Sequence, residues 1–186
     1  ESEFSWDINN LTALKFGYYD KPDLGTPIED ILDEYGKAIK GSFRGDRIDL
    51  EWGELDDYDQ DEDSFYYRSI REMELAFKKE GDRYYLQNIS YSGDYRKAKV
   101  AYMPSDYYDK LKVGDPKTGK GGVSYKEVIG DNAVLYLTMS AGEDIETDEV
   151  IAKMRIQFNS SGSDEYKLTF VKQADGDFLL AKKGAD

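Results

Sequence analysis

The sequence predicts an α+β protein made of two tandem copies of one unit, each copy a helix–loop–helix laid on an antiparallel sheet. Two observations carry that prediction. The first is internal repetition. Leu14-Lys15-Phe16-Gly17, a loop, Gly25 and Thr26-Pro27-Ile28-Glu29-Asp30-Ile31-Leu32 return as Leu111-Lys112-Val113-Gly114, a loop, Gly122 and Val123-Ser124-Tyr125-Lys126-Glu127-Val128-Ile129, at a constant offset of 97 with no gap. Self-similarity at a fixed spacing marks a repeated supersecondary unit. The second is period-two alternation in Arg47-Ile48-Asp49-Leu50-Glu51-Trp52 and Met73-Glu74-Leu75-Ala76-Phe77, the pattern of strands with one buried face.

In chain order, Ser5 to Phe16 reads as a first helix, with Trp6, Ile8, Leu11 and Leu14 near one face and Gly17 placed to end it. Thr26-Pro27-Ile28-Glu29 has the form of a capping box, with Thr26 as N-cap and Pro27 at the first helical position. Ile28, Ile31, Leu32 and Tyr35 form the stripe of this second helix, and Gly36 stops it. Both helices are too short to persist alone and need a sheet to cover. Glu80-Gly81-Asp82 is a turn, and Arg83 to Tyr91 returns as a strand. Between the strands lies Asp56 to Asp63, whose mutual repulsion makes it an exposed loop.

The second half repeats the plan. Ser105 caps a helix through Tyr107, Tyr108 and Leu111, a Gly-rich loop follows, and Ser124 caps a short helix carrying Tyr125, Val128 and Ile129. Ala133 to Thr138 reads as a strand. Met154 to Phe158 matches Met73 to Phe77 at offset 81, Tyr166-Lys167-Leu168 matches Tyr84-Tyr85-Leu86 at 82, and Gly176-Asp177-Phe178 matches Gly93-Asp94-Tyr95 at 83. The fall in offset implies about sixteen extra residues in the first copy, with the acidic segment among them. The copies are placed at residues 1–102 and 103–186.

Composition narrows the chemistry. In 186 residues, 39% are hydrophobic and 14% aromatic, enough for a packed core. The net charge of −14 argues against nucleic acid and anionic lipid as partners and favours neutral or basic ones. There is no Cys and no His, so disulfides, thiolate nucleophiles, His-based triads and His- or Cys-held zinc are excluded. No apolar run approaches a membrane span. The sequence opens at Glu1 rather than Met, which leaves room for a removed signal or lipid anchor. With nothing to single out one carboxylate pair, no catalytic residue and no cofactor are expected.

Sixteen Tyr, several in pairs (Tyr18-Tyr19, Tyr66-Tyr67, Tyr84-Tyr85, Tyr107-Tyr108), are the main binding signal. Adjacent strand residues face opposite ways, so one ring of each pair turns inward and one outward. Exposed Tyr suits protein interfaces, whereas the plainer reading is strand formation and packing. The candidate partner-binding residues are Trp52, Asp57, Tyr58, Tyr66, Tyr67, Tyr84, Tyr85 and Tyr91. Asp57, Asp59 and Asp61 have the alternate spacing of a calcium loop, but Glu62 stands where such a loop needs Gly and Arg68 where it needs Glu. A solvated charged loop that steers a basic partner is the competing reading.

The Leu-Lys-Val-Gly motif, the Gly-rich loop and Tyr-Lys-Glu-Val-Ile, repeated in order over nearly the whole chain, resemble the beta-lactamase-inhibitory-protein (BLIP) fold. The likeness is to exported BLIP-like proteins of Gram-positive bacteria, and more distantly to outer-membrane lipoproteins of the SmpA/OmlA type. That resemblance implies the two units share one combined, curved antiparallel sheet. It implies a secreted or lipid-anchored extracytoplasmic protein of the cell envelope that binds a protein partner and has no catalysis of its own. The founding inhibitor has disulfides and enters an enzyme with an Asp-Tyr loop. This chain has no Cys, and Asp57-Tyr58 sits in a far more acidic run, so inhibition of a beta-lactamase does not carry over. The alternatives are an envelope structural or carbohydrate-contacting lipoprotein and a calcium-dependent adhesion module.

Overall fold

Strands dominate the chain, and all of them join one sheet. A computed structural model describes residues 7–18, 20–55, 69–93, 101–143, 150–162 and 165–184. The strands are β1 (Lys40–Arg44), β2 (Arg47–Leu55), β3 (Ser69–Glu80), β4 (Arg83–Ser92), β5 (Tyr136–Glu143), β6 (Val150–Phe158), β7 (Tyr166–Lys172) and β8 (Phe178–Lys183). Each pairs antiparallel with the next, in the order β1 to β8. The fold is thus α+β, with a single eight-stranded antiparallel sheet and few helices.

Period-two alternation sets the buried face. Leu50, Leu75, Ile89, Met139, Met154, Phe170 and Leu180 stand directly opposite one another from β2 to β8. Trp52, Met73, Tyr91, Leu137, Ile156 and Leu168 form the next such row. Nearly all of these are buried, and with Leu11, Ile31, Tyr125 and Val128 from the helices they make one core. Burying side chains of this size contributes about 1.5–3 kcal/mol each, which explains why one face is covered and the other left to polar residues.

The first and third helices are shorter than the sequence predicts. The α-helices are α1 (Ile8–Leu11), α2 (Ile28–Tyr35), α3 (Ser105–Lys110) and α4 (Tyr125–Asp131). The helix expected to reach Phe16 stops early because Lys15 goes into a backbone pairing: its N–H donates to Thr26 Oγ1 at 2.9 Å and its C=O accepts from the Thr26 N–H at 3.0 Å. That pairing also corrects the capping box. Thr26 is engaged by Lys15, and Pro27, which makes no side-chain cap, becomes the N-cap. Ser105 is likewise the first residue of α3 rather than its cap, which is Pro104. Ser124 does cap α4, accepting from the Lys126 N–H. Gly36 ends α2 at φ +75°, a conformation that suits Gly.

One set of backbone bonds occurs in both halves. Gly17 N–H donates to Leu86 O at 2.9 Å, and Gly114 N–H to Leu180 O at 2.8 Å. Leu86 N–H donates to Thr26 O, and Leu180 N–H to Val123 O. Gly25 N–H closes on Pro22 O as Gly122 N–H closes on Gly119 O. The β3–β4 pairing has a bulge at Ala76/Phe77, and the β7–β8 pairing has one at Thr169/Phe170. By these bonds the counterpart of Leu86 is Leu180 and that of Phe77 is Phe170, an offset of 94 and 93. The sequence match of Met73–Phe77 to Met154–Phe158, and the sixteen-residue insertion drawn from it, are therefore corrected: they align β3 with β6, one strand too early. Alternating strands look alike in sequence, and only long-range bonds tell them apart.

Candidate functional site

The polar positions of the same alternating strands occupy the other face, which is open over its middle; at one end Ala76 and Val171 are 3% and 2% exposed, and the short 3-10 helix Pro22–Leu24 lies against β3 and β4. Three rows cross this face, and a fourth, Arg44, Arg47, Lys78 and Tyr85, runs from β1 to β4. The middle row runs Lys40, Glu51, Glu74, Ser90, Thr138, Arg155, Thr169, Lys182 from β1 to β8. Beside it lies Gly53, Glu72, Ser92, Tyr136, Gln157, Lys167. On its other side lies Ser42, Asp49, Ala76, Asn88, Ser140, Lys153, Val171, Leu179.

Charge is sorted along each row. Within these three rows carboxylates stand on β2 and β3, hydroxyls, amides and Tyr136 on β4 and β5, and cations on β6 to β8, while Lys40 and the neighbouring Arg44, Arg47 and Lys78 put cations at the acidic end as well. Glu51 and Glu74 are directly opposed, an arrangement that destabilises an antiparallel pair. Burial, and then Asp49 and Glu51, raise the Glu74 pKa above the ordinary carboxylate value. Arg47 reaches Asp49 at 3.1 Å and Lys40 reaches Glu51 at 3.8 Å, so the acidic cluster is partly compensated at its edges. On the cationic side Tyr136, Thr138, Arg155, Gln157, Lys167 and Thr169 line a depression of about 300 Å³. No group of three or more His, Cys, Asp or Glu among the described residues is arranged to hold a metal.

The expected binding residues divide. Trp52, 3% exposed, and Tyr91, 7% exposed, sit in the core row with Met73, so neither presents its ring to a partner, and the expectation for both is corrected. Their period-two register with Met73 put them inside. Tyr84 also packs on the core side, its ring edge-on to Phe43 and its hydroxyl donating to Gly45 O. Tyr85 pairs with Lys78 and so shares the uncovered face, with the Arg83 guanidinium 5.7 Å from its ring centre. Asp57, Tyr58, Asp59, Asp61, Tyr66 and Tyr67 lie outside the described residues. The pair on α3 is used for packing: Tyr107 donates to Asp131 at 2.9 Å, and Tyr108 stacks on Tyr166 at 4.0 Å beneath the Lys183 ammonium.

Composition did not point to Glu72, Glu74, Lys153, Arg155 or Lys167 as a group. Their signal is the polar half of each alternating strand, and only the register assembles them into rows. No helix among the described residues is long and apolar enough to cross a membrane. Comparison with protein families, curated proteins and solved structures found no match.

Proposed function

We propose that the chain is a non-enzymatic protein-binding module that engages its partner through the uncovered sheet face. The sorting of charge along three successive rows carries this reading. Opposed like charges such as Glu51 and Glu74 cost stability, and a partner's cations offset that cost. Segregated charge gives orientation and association rate more than raw affinity. The lack of His and Cys agrees with a binding rather than a catalytic role.

The finer architecture belongs to the same proposal. We read residues 1–102 and 103–186 as tandem copies of one helix–loop–helix unit. The twice-occurring bonds from Gly17 and Gly114, and the bulges at Ala76 and Thr169, support this. We read such a module as extracytoplasmic, secreted or lipid-anchored at the cell surface, a reading supported by the resemblance of its repeated motifs to BLIP-like proteins.

Capture from an envelope extract tests the proposal. The wild-type chain should retain a protein that is lost on Glu72→Lys/Glu74→Lys or on Arg155→Glu/Lys167→Glu, and should release it as salt is raised. Capture indifferent to both double variants and to salt would remove this face as the binding surface.

A further inference from the structure

The uncovered face is complementary to itself, and we infer that two copies of the chain pair face to face through it, about a twofold axis parallel to the strands and centred between β4 and β5. This rests on the protein-binding reading above and names a second copy as the occupant. An axis along the strands keeps every row at its own height and exchanges its two ends. β3 then lies over β6 of the second copy, so Glu74 faces Arg155. One row away Glu72 comes beside Lys167, and on the other side Asp49 comes beside Lys153. Each contact is made twice; at the two edges Lys40 faces Lys182, a like-charge contact that weakens the pairing. A twofold axis along the rows would instead set carboxylate on carboxylate and cation on cation, so charge selects one orientation of the two. The uncharged strip of Asn88, Ser90, Ser92, Tyr136, Thr138 and Ser140 lies at the centre, over the axis.

Extent sets the strength. Eight strands about 4.8 Å apart and three rows deep cover roughly 600 Å² per copy, and a total near 1,200 Å² is at the low end of specific interfaces. The dimer should therefore be concentration-dependent. The net charge of −14 on each chain opposes it. That repulsion acts mostly over distances beyond the screening length of about 8 Å at physiological salt, while the facing pairs lie within it.

Sedimentation velocity of the full chain over a range of concentrations at physiological salt tests this. The wild type should form dimers. Glu72→Lys/Glu74→Lys turns the β3 carboxylates into cations, and Arg155→Glu/Lys167→Glu turns the facing cations of β6 and β7 into carboxylates. Each alone should lose at least ~30-fold in self-association, and an equimolar mixture of the two should recover a one-to-one dimer. If a reversal disturbs folding, judged by its melting curve, the neutral pair Glu74→Gln/Arg155→Gln should still weaken the dimer. A wild type monomeric at every concentration overturns the inference and leaves protein binding to the capture experiment. A dimer unchanged in every variant, or a mixture that stays monomeric, overturns it as well.

Discussion

The hydroxyl of Tyr125, on α4, donates to Oδ1 of Asn9, on α1, at 3.0 Å. Tyr125 is 0% exposed and packs edge-on against Phe178, while Asn9 is exposed, so this bond ties the first half of the chain to the second at the edge of the shared core. A net contribution of about 1 kcal/mol follows for such a bond. Tyr125→Phe should lower the melting temperature by roughly 2–4 °C, the shift that about 1 kcal/mol produces in a domain of this size. Asn9→Ala should do much the same, and the double variant should lose little more than either single one. A double-mutant cycle on thermal unfolding reads the coupling.

Gly25 and Gly122 should be equally intolerant of a side chain. A Cβ on Gly25 would lie 2.0 Å from Leu86 O, and one on Gly122 would lie 2.1 Å from Leu180 O. Those carbonyls also accept from Gly17 and Gly114, so the loop cannot retreat without breaking its docking bonds. Gly25→Ala and Gly122→Ala should each destabilise by at least ~2 kcal/mol in urea unfolding. Gly130 in α4 has open space around it, and Gly130→Ala should stabilise by about 0.5–1 kcal/mol on helix propensity.

Tyr107 should ionise late in an alkaline titration. Burial and the hydrogen bond to Asp131 push its pKa up to about 12 from the ordinary 10.0. Because the folded value is the higher, the contribution to stability is present below the unfolded value and is lost as pH rises through the folded one. In Tyr107→Phe one late step of tyrosinate absorbance should be lost, and stability should fall less steeply between about pH 10 and pH 12.

Glu74 should show the same kind of penalty, already present at neutral pH. Burial and its neighbours Asp49 and Glu51 raise its pKa above the ordinary 4.5. A carboxyl group with a raised folded value favours the fold below its unfolded pKa and loses that contribution as pH rises through the folded value. Glu74→Gln should therefore unfold at a higher denaturant concentration than the wild type at neutral pH, and the gap should close on acidification below 4.5. Denaturant melts at a series of pH values check both parts.

The sequence by itself determined the strands that alternate, the turn at Gly81-Asp82, the cap at Ser124 and the stop at Gly36. Each is a local signal: a period, a left-handed glycine, a side-chain oxygen one turn from an open N–H. It did not reveal β1. Lys40-Gly41-Ser42-Phe43-Arg44 has no buried face, is exposed throughout, and is held by pairing with β2 along one side. It also mismatched the halves beyond the loops, because one alternating strand resembles the next.

Tertiary structure decided three things. Backbone bonds between Thr26 and Lys15 moved the start of α2, the docking of Gly17 on Leu86 and Gly114 on Leu180 fixed which strands correspond, and register placed Glu74 in one row with Arg155. The reason is common to all three. Alternation tells which face a side chain takes, but which residues stand side by side depends on hydrogen bonds between segments far apart in the chain, and a slip in that pairing would exchange the faces altogether.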